Sequence, residues 1–189
     1  MNGKITIDQL WQKISKILLE NQETLKQIYF DGDNNAFTDF IVSKFMILGE
    51  QFKFHVQTEY WPKVDINFFD RETEENWQEW AREVAIEHEN NAGTWYEELD
   101  KLFAINAGIK VLMTYSDKDD VELLSDFNAT EPGSVLSIYK SRKYHTADDK
   151  YLFIFGPVAG GKKRHLFSAF FFDGQKVVQL PETVGFSMQ

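Results

Sequence analysis

The stretch REVAIEHENN, residues 82–91, defines the centre of the predicted fold. Its strand-forming residues, Val84 to Ile86, lead directly into two acids, Glu87 and Glu89, two positions apart. Successive side chains of a strand point to opposite faces, so both acids share one face about 7 Å apart, and His88 points the other way. The stretch therefore predicts a strand that ends in a carboxylate site. The alternative interpretation is a solvated sheet edge whose acids pair with surface lysines.

Two further strands are predicted just before this one. KFHVQTEYW, residues 53–61, alternates apolar and polar side chains, and KVDINFF, residues 63–69, follows and carries Asp65. If the Asp65 strand pairs with the Glu87 strand antiparallel, three carboxylates from two neighbouring strands converge. Residues 70–82 are predicted to form an acidic loop with a short helix.

Helical periodicity flanks these strands. Apolar residues recur at three, four and seven positions over residues 7–30 and again over residues 36–52, and each pattern predicts an amphipathic helix. A further helix is predicted over residues 94–106, followed by an apolar strand, IKVLMTYS, at residues 109–116. Residues 117–133 mix acidic, helical and turn features and receive no assignment.

The remaining segments predict a β-rich end to the chain, with strands at residues 134–141, 150–158, 164–174 and 175–181. We therefore expect one α/β (α+β) domain over residues 1–189. Its core is an α-β-β-β-α-β unit at about residues 36–116, and an antiparallel β extension follows at residues 134–181.

Clustered carboxylates predict a cation. Carboxylates this close cannot all stay ionised at low cost. Either the pKa of one carboxyl group rises, so that it takes up a proton, or a metal ion binds between them. Oxygen ligands without cysteine or a second nearby histidine favour Mg²⁺ or Mn²⁺ over zinc. Such a metal activates water and neutralises charge that develops on a phosphate.

The order of elements around Asp65 and Glu87 resembles the PD-(D/E)XK, or restriction-endonuclease-like, nuclease superfamily. The resemblance covers about residues 36–116 and implies that Asp65 and Glu87 are the two acids of the family motif. Glu89 stands where the family usually has lysine, although some members carry Glu-x-Glu.

The same resemblance implies other members of the site. An upstream acid often completes it, and Glu50 and Glu59 compete for that position. Since the exchange of lysine for Glu89 removes a cation, Lys101 on the following helix is the candidate to replace it. The implied activity is Mg²⁺-dependent hydrolysis of phosphodiester bonds by an endonuclease or exonuclease.

Composition sets limits on partners. The 20 basic and 30 acidic residues give a net charge of −10, which disfavours nucleic-acid or membrane binding through the general field. Two basic clusters, Lys162 to Arg164 and the segment YKSRKYH at residues 139–145, are candidates for local phosphate contacts. The apolar runs are too short to span a membrane. With no apparent signal segment, we expect a cytoplasmic protein, alone or with a protein partner or second copy.

Two other functional classes stay open. One is a non-catalytic binding or regulatory module that keeps the nuclease-like fold. The other is an α+β interaction domain whose resemblance to nucleases is accidental.

Overall fold

One seven-stranded mixed sheet carries helices on both of its faces. The structure is a computed structural model that describes residues 5–30, 34–60, 63–70, 81–91, 93–131, 134–141, 149–158 and 161–185. The helices within these ranges are α1 (Ile7–Glu20), α2 (Gln22–Phe30), α3 (Asn34–Gln51), α4 (Trp95–Ala104), α5 (Asp120–Asn128) and α6 (Val135–Ser141). The strands are β1 (His55–Tyr60), β2 (Val64–Asp70), β3 (Ala81–His88), β4 (Ile109–Tyr115), β5 (Lys150–Gly156), β6 (Leu166–Phe172) and β7 (Val177–Gly185).

The strands lie side by side in chain order. β1, β2 and β3 pair antiparallel, β3, β4 and β5 pair parallel, and β6 and β7 extend the sheet antiparallel. Because parallel strands end at the same edge, the carboxyl ends of β3, β4 and β5 define one edge of the sheet, which we call the carboxyl edge.

The sheet separates two hydrophobic cores, one on each of its faces. One face of the sheet packs against α1, α2 and α3 through side chains that include Phe45, Ile66 and Ile86. The other face packs against α4, α5 and α6 through side chains that include Ala85 and Leu112. We call these the α1–α3 face and the α4–α6 face. Side chains alternate between the two faces along β3, where Val84 and Ile86 belong to the first face and Ala85 to the second.

The predicted order α-β-β-β-α-β is present as α3-β1-β2-β3-α4-β4, and the strands predicted for β5, β6 and β7 are confirmed. The C-terminal strands continue the same sheet, and β5 is parallel to β4, so the predicted antiparallel extension is correct only from β6 onward. The predicted short helix in residues 70–82 falls mostly outside the described residues.

The single helix predicted over residues 7–30 is wrong. Asn21 separates α1 from α2, and its side-chain amide donates a hydrogen bond of 2.8 Å to the Ile17 carbonyl. An asparagine that bonds the last turn in this way ends a helix even where the apolar pattern continues.

The strand predicted at residues 134–141 is also wrong, because these residues form α6. Buried Val135 and Tyr139 are four positions apart, as one helix face requires, and the Ser134 hydroxyl accepts a hydrogen bond of 3.3 Å from the Ser137 backbone N–H. Such a short apolar run fits either period, and packing against α5 and the sheet decided it. The unassigned residues 117–133 contain α5, whose first turn is capped by Asp119.

Gly49 lets the end of α3 approach the sheet closely. A Cβ atom there would lie 2.5 Å from Val56 Cγ2 and 2.6 Å from Phe68 Cε1, closer than side chains tolerate. α3 is therefore held on the α1–α3 face, opposite α4. None of the helices in the described ranges combines the length and apolar composition needed to cross a bilayer.

Candidate active site

Asp65 and Glu87 lie side by side on neighbouring strands. The β2–β3 register pairs Ile66 with Ile86, and its next position places Asp65 opposite Glu87. The His88 backbone N–H donates a hydrogen bond of 2.9 Å to Asp65 Oδ2, which fixes this carboxylate at the end of β3. The structure thus brings together the two acids that the sequence pattern paired.

Lys101 reaches this pair from the helix that follows β3. Its Nζ lies 3.7 Å from Glu87 Oε1 and forms an ion pair with Glu98, one turn earlier on α4. The lysine side chain is 40% exposed, whereas that of Glu87 is 1% exposed. A cation on α4 therefore lies beside the buried acid, on the helix from which the sequence analysis drew its candidate lysine.

Burial dominates the electrostatics of the pair. It raises the pKa of Glu87 to about 9, with a further increase from the Asp65 charge. Burial also raises the pKa of Asp65, against the hydrogen bond from the His88 backbone. For Lys101, burial acts to lower the pKa, but the hydrogen bond to Glu98 and the charge of Glu87 outweigh it. At neutral pH the carboxyl pair therefore retains a proton when no metal ion is bound.

Glu89 lies beyond the end of β3 and joins the pair only partly. Its backbone N–H donates to the Met113 carbonyl at 2.9 Å, and its carboxylate accepts a hydrogen bond of 2.6 Å from the Asn91 backbone. The Glu89 charge still contributes to the raised pKa of Asp65. This side chain caps the turn after β3 within electrostatic reach of the site.

Glu50 does not complete the site. The start of α3 lies beside the carboxyl edge, where Asn90 Nδ2 donates a hydrogen bond of 2.5 Å to Thr38 Oγ1. Glu50 follows Thr38 by twelve residues, or about 18 Å of helix, and is exposed at the other end of α3.

Glu59 is the nearer of the two upstream acids. It lies on edge strand β1 between the pairs Thr58–Ile66 and Tyr60–Val64, level with Asp65. Its φ is 51° and its side chain is exposed.

Within the described ranges, no group of three or more His, Cys, Asp or Glu side chains has metal-holding geometry.

His88 is a packed residue, as its position on the opposite strand face predicted. It is buried, its Nε2 lies 2.9 Å from the Tyr115 hydroxyl, and its ring lies 5.8 Å from that of Phe37. Burial lowers the pKa of His88 to about 3, so the ring stays neutral at physiological pH.

Sequence reasoning missed three polar residues around the pair. Glu98 precedes Lys101 by three positions, a helix spacing that signals an ion pair. Asn67 follows Asp65 by two positions and so shares its strand face. Thr114, on β4, carried no local signal, because only the β3–β4 register brings it near Glu87.

The basic cluster Lys162 to Arg164 also lies at the carboxyl edge, but acids offset most of its charge. Lys163 Nζ lies 2.5 Å from Glu122 Oε1, and buried Arg164 lies 2.6 Å from Asp120 Oδ1. Asp117 accepts hydrogen bonds of 2.7 and 3.0 Å from the Lys162 and Lys163 backbones. Of the other cluster, residues 142–145 lie outside the described residues.

Comparison of the chain with protein-family models, curated proteins and solved structures gives no significant match. A functional assignment for this protein therefore depends on the residues and geometry of the site itself.

Proposed function

We propose that the chain is a Mg²⁺- or Mn²⁺-dependent phosphodiesterase with a restriction-endonuclease-like core, acting on a nucleic-acid backbone. The observation that supports the proposal most strongly is the adjacency of Asp65 and Glu87 under Lys101, in an α-β-β-β-α-β order of elements. The resemblance assigns two acids on adjacent strands and a lysine to the chemistry, and Lys101 is the candidate for that lysine because Glu89 occupies its usual position.

The oxygen chemistry of the carboxyl pair supports a hard divalent cation. Asp65 and Glu87 offer carboxylate oxygens, and Glu87 Oε1 is buried without a hydrogen-bond partner in the described part of the chain. Asp65 and Glu87 would hold the ion, and Glu59 or Glu89 would be the further acid that the sequence pattern offers. The ion, when bound, would lower the pKa of a water molecule and neutralise negative charge on the phosphate.

Lys101 contributes a fixed positive charge beside the pair. Its ammonium is partly solvent-exposed and faces Glu87, so it is placed to bind a phosphate oxygen that approaches the carboxylates. A donor aimed at charge that develops in the transition state accelerates reaction more than one that binds the ground state equally well.

Addition of Mn²⁺ or Mg²⁺ to the metal-free protein is expected to raise its melting temperature. A ligand that binds only the folded state stabilises it by about 2.7 kcal/mol at a hundred times its dissociation constant. For Glu87→Gln we expect the metal-dependent increase in melting temperature to disappear, because a neutral amide replaces the charged carboxylate that binds the ion. The exposed neighbour Glu97 supplies the matched control, Glu97→Gln, which should respond like the wild type. A wild-type protein that shows no shift at millimolar metal contradicts the metal site.

Lys101→Met is expected to lower kcat for cleavage of a fluorescent DNA or RNA substrate by about 100-fold or more. The cause is loss of the charge beside the reacting phosphate, so KM should change much less than kcat. Lys16→Met removes an exposed lysine of α1 and is the control. Equal kcat values for the wild type and Lys101→Met would exclude the proposed role.

The ion pair between Glu98 and Lys101 favours a second candidate function. This pairing reduces the charge available to a substrate, and Glu89 occupies the position of the usual lysine. A non-catalytic module that binds nucleic acid or a regulator would keep the fold and the metal. Metal-dependent stabilisation without cleavage of single-stranded, double-stranded or branched DNA and RNA would identify that function.

A further inference from the structure

Besides Glu98 Oε2, which forms an ion pair with Lys101, three buried side-chain oxygens near the carboxyl pair have no hydrogen-bond partner within the described residues. They are Asn67 Oδ1, Glu87 Oε1 and Thr114 Oγ1. All three residues are almost completely buried, at 0%, 1% and 0% exposure. The proposed function accounts for Glu87 alone, so the oxygens of Asn67 and Thr114 require a separate explanation.

The three residues share one face of three consecutive strands. Asn67 pairs with Ala85, two positions before Glu87, and Leu112 pairs with Glu87, two positions before Thr114. Ala85 and Leu112 belong to the core of the α4–α6 face, so the alternation of side chains puts Asn67, Glu87 and Thr114 on that face.

Thr114 is a diagonal neighbour of Glu87. The hydrogen bond from the Glu89 backbone N–H to the Met113 carbonyl continues the β3–β4 pairing beyond His88. A strand spacing of about 4.8 Å and a rise of about 3.3 Å per residue separate the Cα atoms of Glu87 and Thr114 by about 8 Å. One water molecule between the two side chains spans such a separation.

Folding alone does not explain these oxygens. A buried polar atom without a partner is costly to stability, whereas valine has the shape of threonine and no hydroxyl. Valine at position 114 would pack in the core of the α4–α6 face at least as well as threonine does. A buried, unsatisfied hydroxyl beside an acid pair therefore indicates a ligand that supplies the missing hydrogen bond.

We infer that Thr114 and Asn67 are positioning residues that accept hydrogen bonds from water molecules of a divalent cation held by Asp65 and Glu87. The inference rests on the proposed function. Mg²⁺ retains several waters when it binds proteins, and two carboxylates leave most of its coordination positions to water. Groups that orient such ligands from outside the coordination sphere typically change metal affinity by about 10–100-fold when removed.

Thr114→Val separates this role from packing. We expect a melting temperature in EDTA equal to or higher than that of the wild type, because an unsatisfied hydroxyl is removed. The dissociation constant for Mn²⁺, measured by calorimetric titration, should rise about 10–100-fold. Thr114→Ser keeps the hydroxyl and should bind Mn²⁺ with nearly wild-type affinity. Thr183→Val changes an exposed threonine on β7 and serves as the matched control. Asn67→Leu does not separate metal positioning from stability, because it also removes the hydrogen bond of 3.2 Å that Asn67 Nδ2 donates to the Val64 carbonyl.

The outcomes distinguish the two proposals. If the wild type does not bind Mn²⁺, the proposed metal site fails and this inference fails with it. If the wild type binds Mn²⁺ and Thr114→Val binds it equally well, only the positioning role is overturned. Weakened binding by valine, restored by serine, with no loss of stability in EDTA, supports the inference.

Discussion

Asp149→Asn is expected to lower the free energy of unfolding by about 3–5 kcal/mol, because it leaves the ammonium of Lys110 buried without its counter-charge. Lys110 is 0% exposed, and its Nζ donates hydrogen bonds of 2.6 Å to Asp149 Oδ2 and 3.1 Å to the Tyr151 hydroxyl. Burial already lowers the pKa of Lys110, and the bond to Asp149 is the main opposing influence. Urea denaturation at pH 7 measures the change directly.

An exposed ion pair supplies the control for this experiment. Lys118 and Asp126 are 2.5 Å apart, but their side chains are 53% and 35% exposed. Water compensates a lost partner there, so we expect Asp126→Asn to change stability by at most about 1 kcal/mol. The double variant Lys110→Met, Asp149→Asn removes both charges and should recover much of the lost stability. A single Asp149→Asn variant as stable as the wild type would show that Lys110 is neutral in the folded protein.

Stability in EDTA is expected to be highest between about pH 4.5 and 6.5 and to fall on both sides. Glu87 has a folded pKa of about 9 against an ordinary value of 4.5, so the folded state binds more protons than the unfolded state between these values. Stability therefore falls as pH rises through this range, by about 1.4 kcal/mol per pH unit. The raised pKa of Asp65 acts in the same direction.

His88 acts in the opposite sense. Its pKa is about 3 in the folded state against an ordinary 6.5, so the unfolded state binds more protons in that range and stability falls as pH decreases. The two effects oppose each other between pH 4.5 and 6.5. Of these two residues, only Glu87 affects the pH dependence above this window, and only His88 affects it below the window.

Two substitutions assign the limbs of the profile. Glu87→Gln should raise the free energy of unfolding at pH 7 by about 3 kcal/mol and remove most of the alkaline decrease, because the neutral amide never ionises. His88→Gln should flatten the acid limb. Denaturant titrations from pH 3 to 9 test both variants. An alkaline limb that is unchanged in Glu87→Gln would mean that Glu87 is already ionised at neutral pH.

Much of the carboxyl pair was predictable from local pattern. The alternation of side chains in residues 82–91 placed Glu87 apart from His88, whereas the antiparallel pairing of the Asp65 strand with the Glu87 strand entered the sequence analysis only as a condition. The helical spacing of residues 94–106 predicted α4, and with it the possibility that Lys101 faces the strands. These inferences need only the neighbours of each residue along the chain.

Other features required distant contacts. Asn21 ends α1 through a side-chain bond that competes with a continuous apolar pattern, and residues 134–141 form a helix because α5 and the sheet offer it a surface. Thr114 comes near Glu87 only through the β3–β4 register. Local propensity is silent about such register and packing.

The amino-acid sequence by itself determined the order of strands and helices around Asp65 and Glu87, because strand and helix periodicity are local properties. Only the tertiary structure decided that Glu87 is buried, that Lys101 rather than Glu50 stands beside it, and that Glu89 caps a turn. Burial and partner choice depend on how α3 and α4 pack on opposite faces of the sheet. The same packing sets the pKa of Glu87, since the desolvation of a carboxyl group depends on everything that surrounds it.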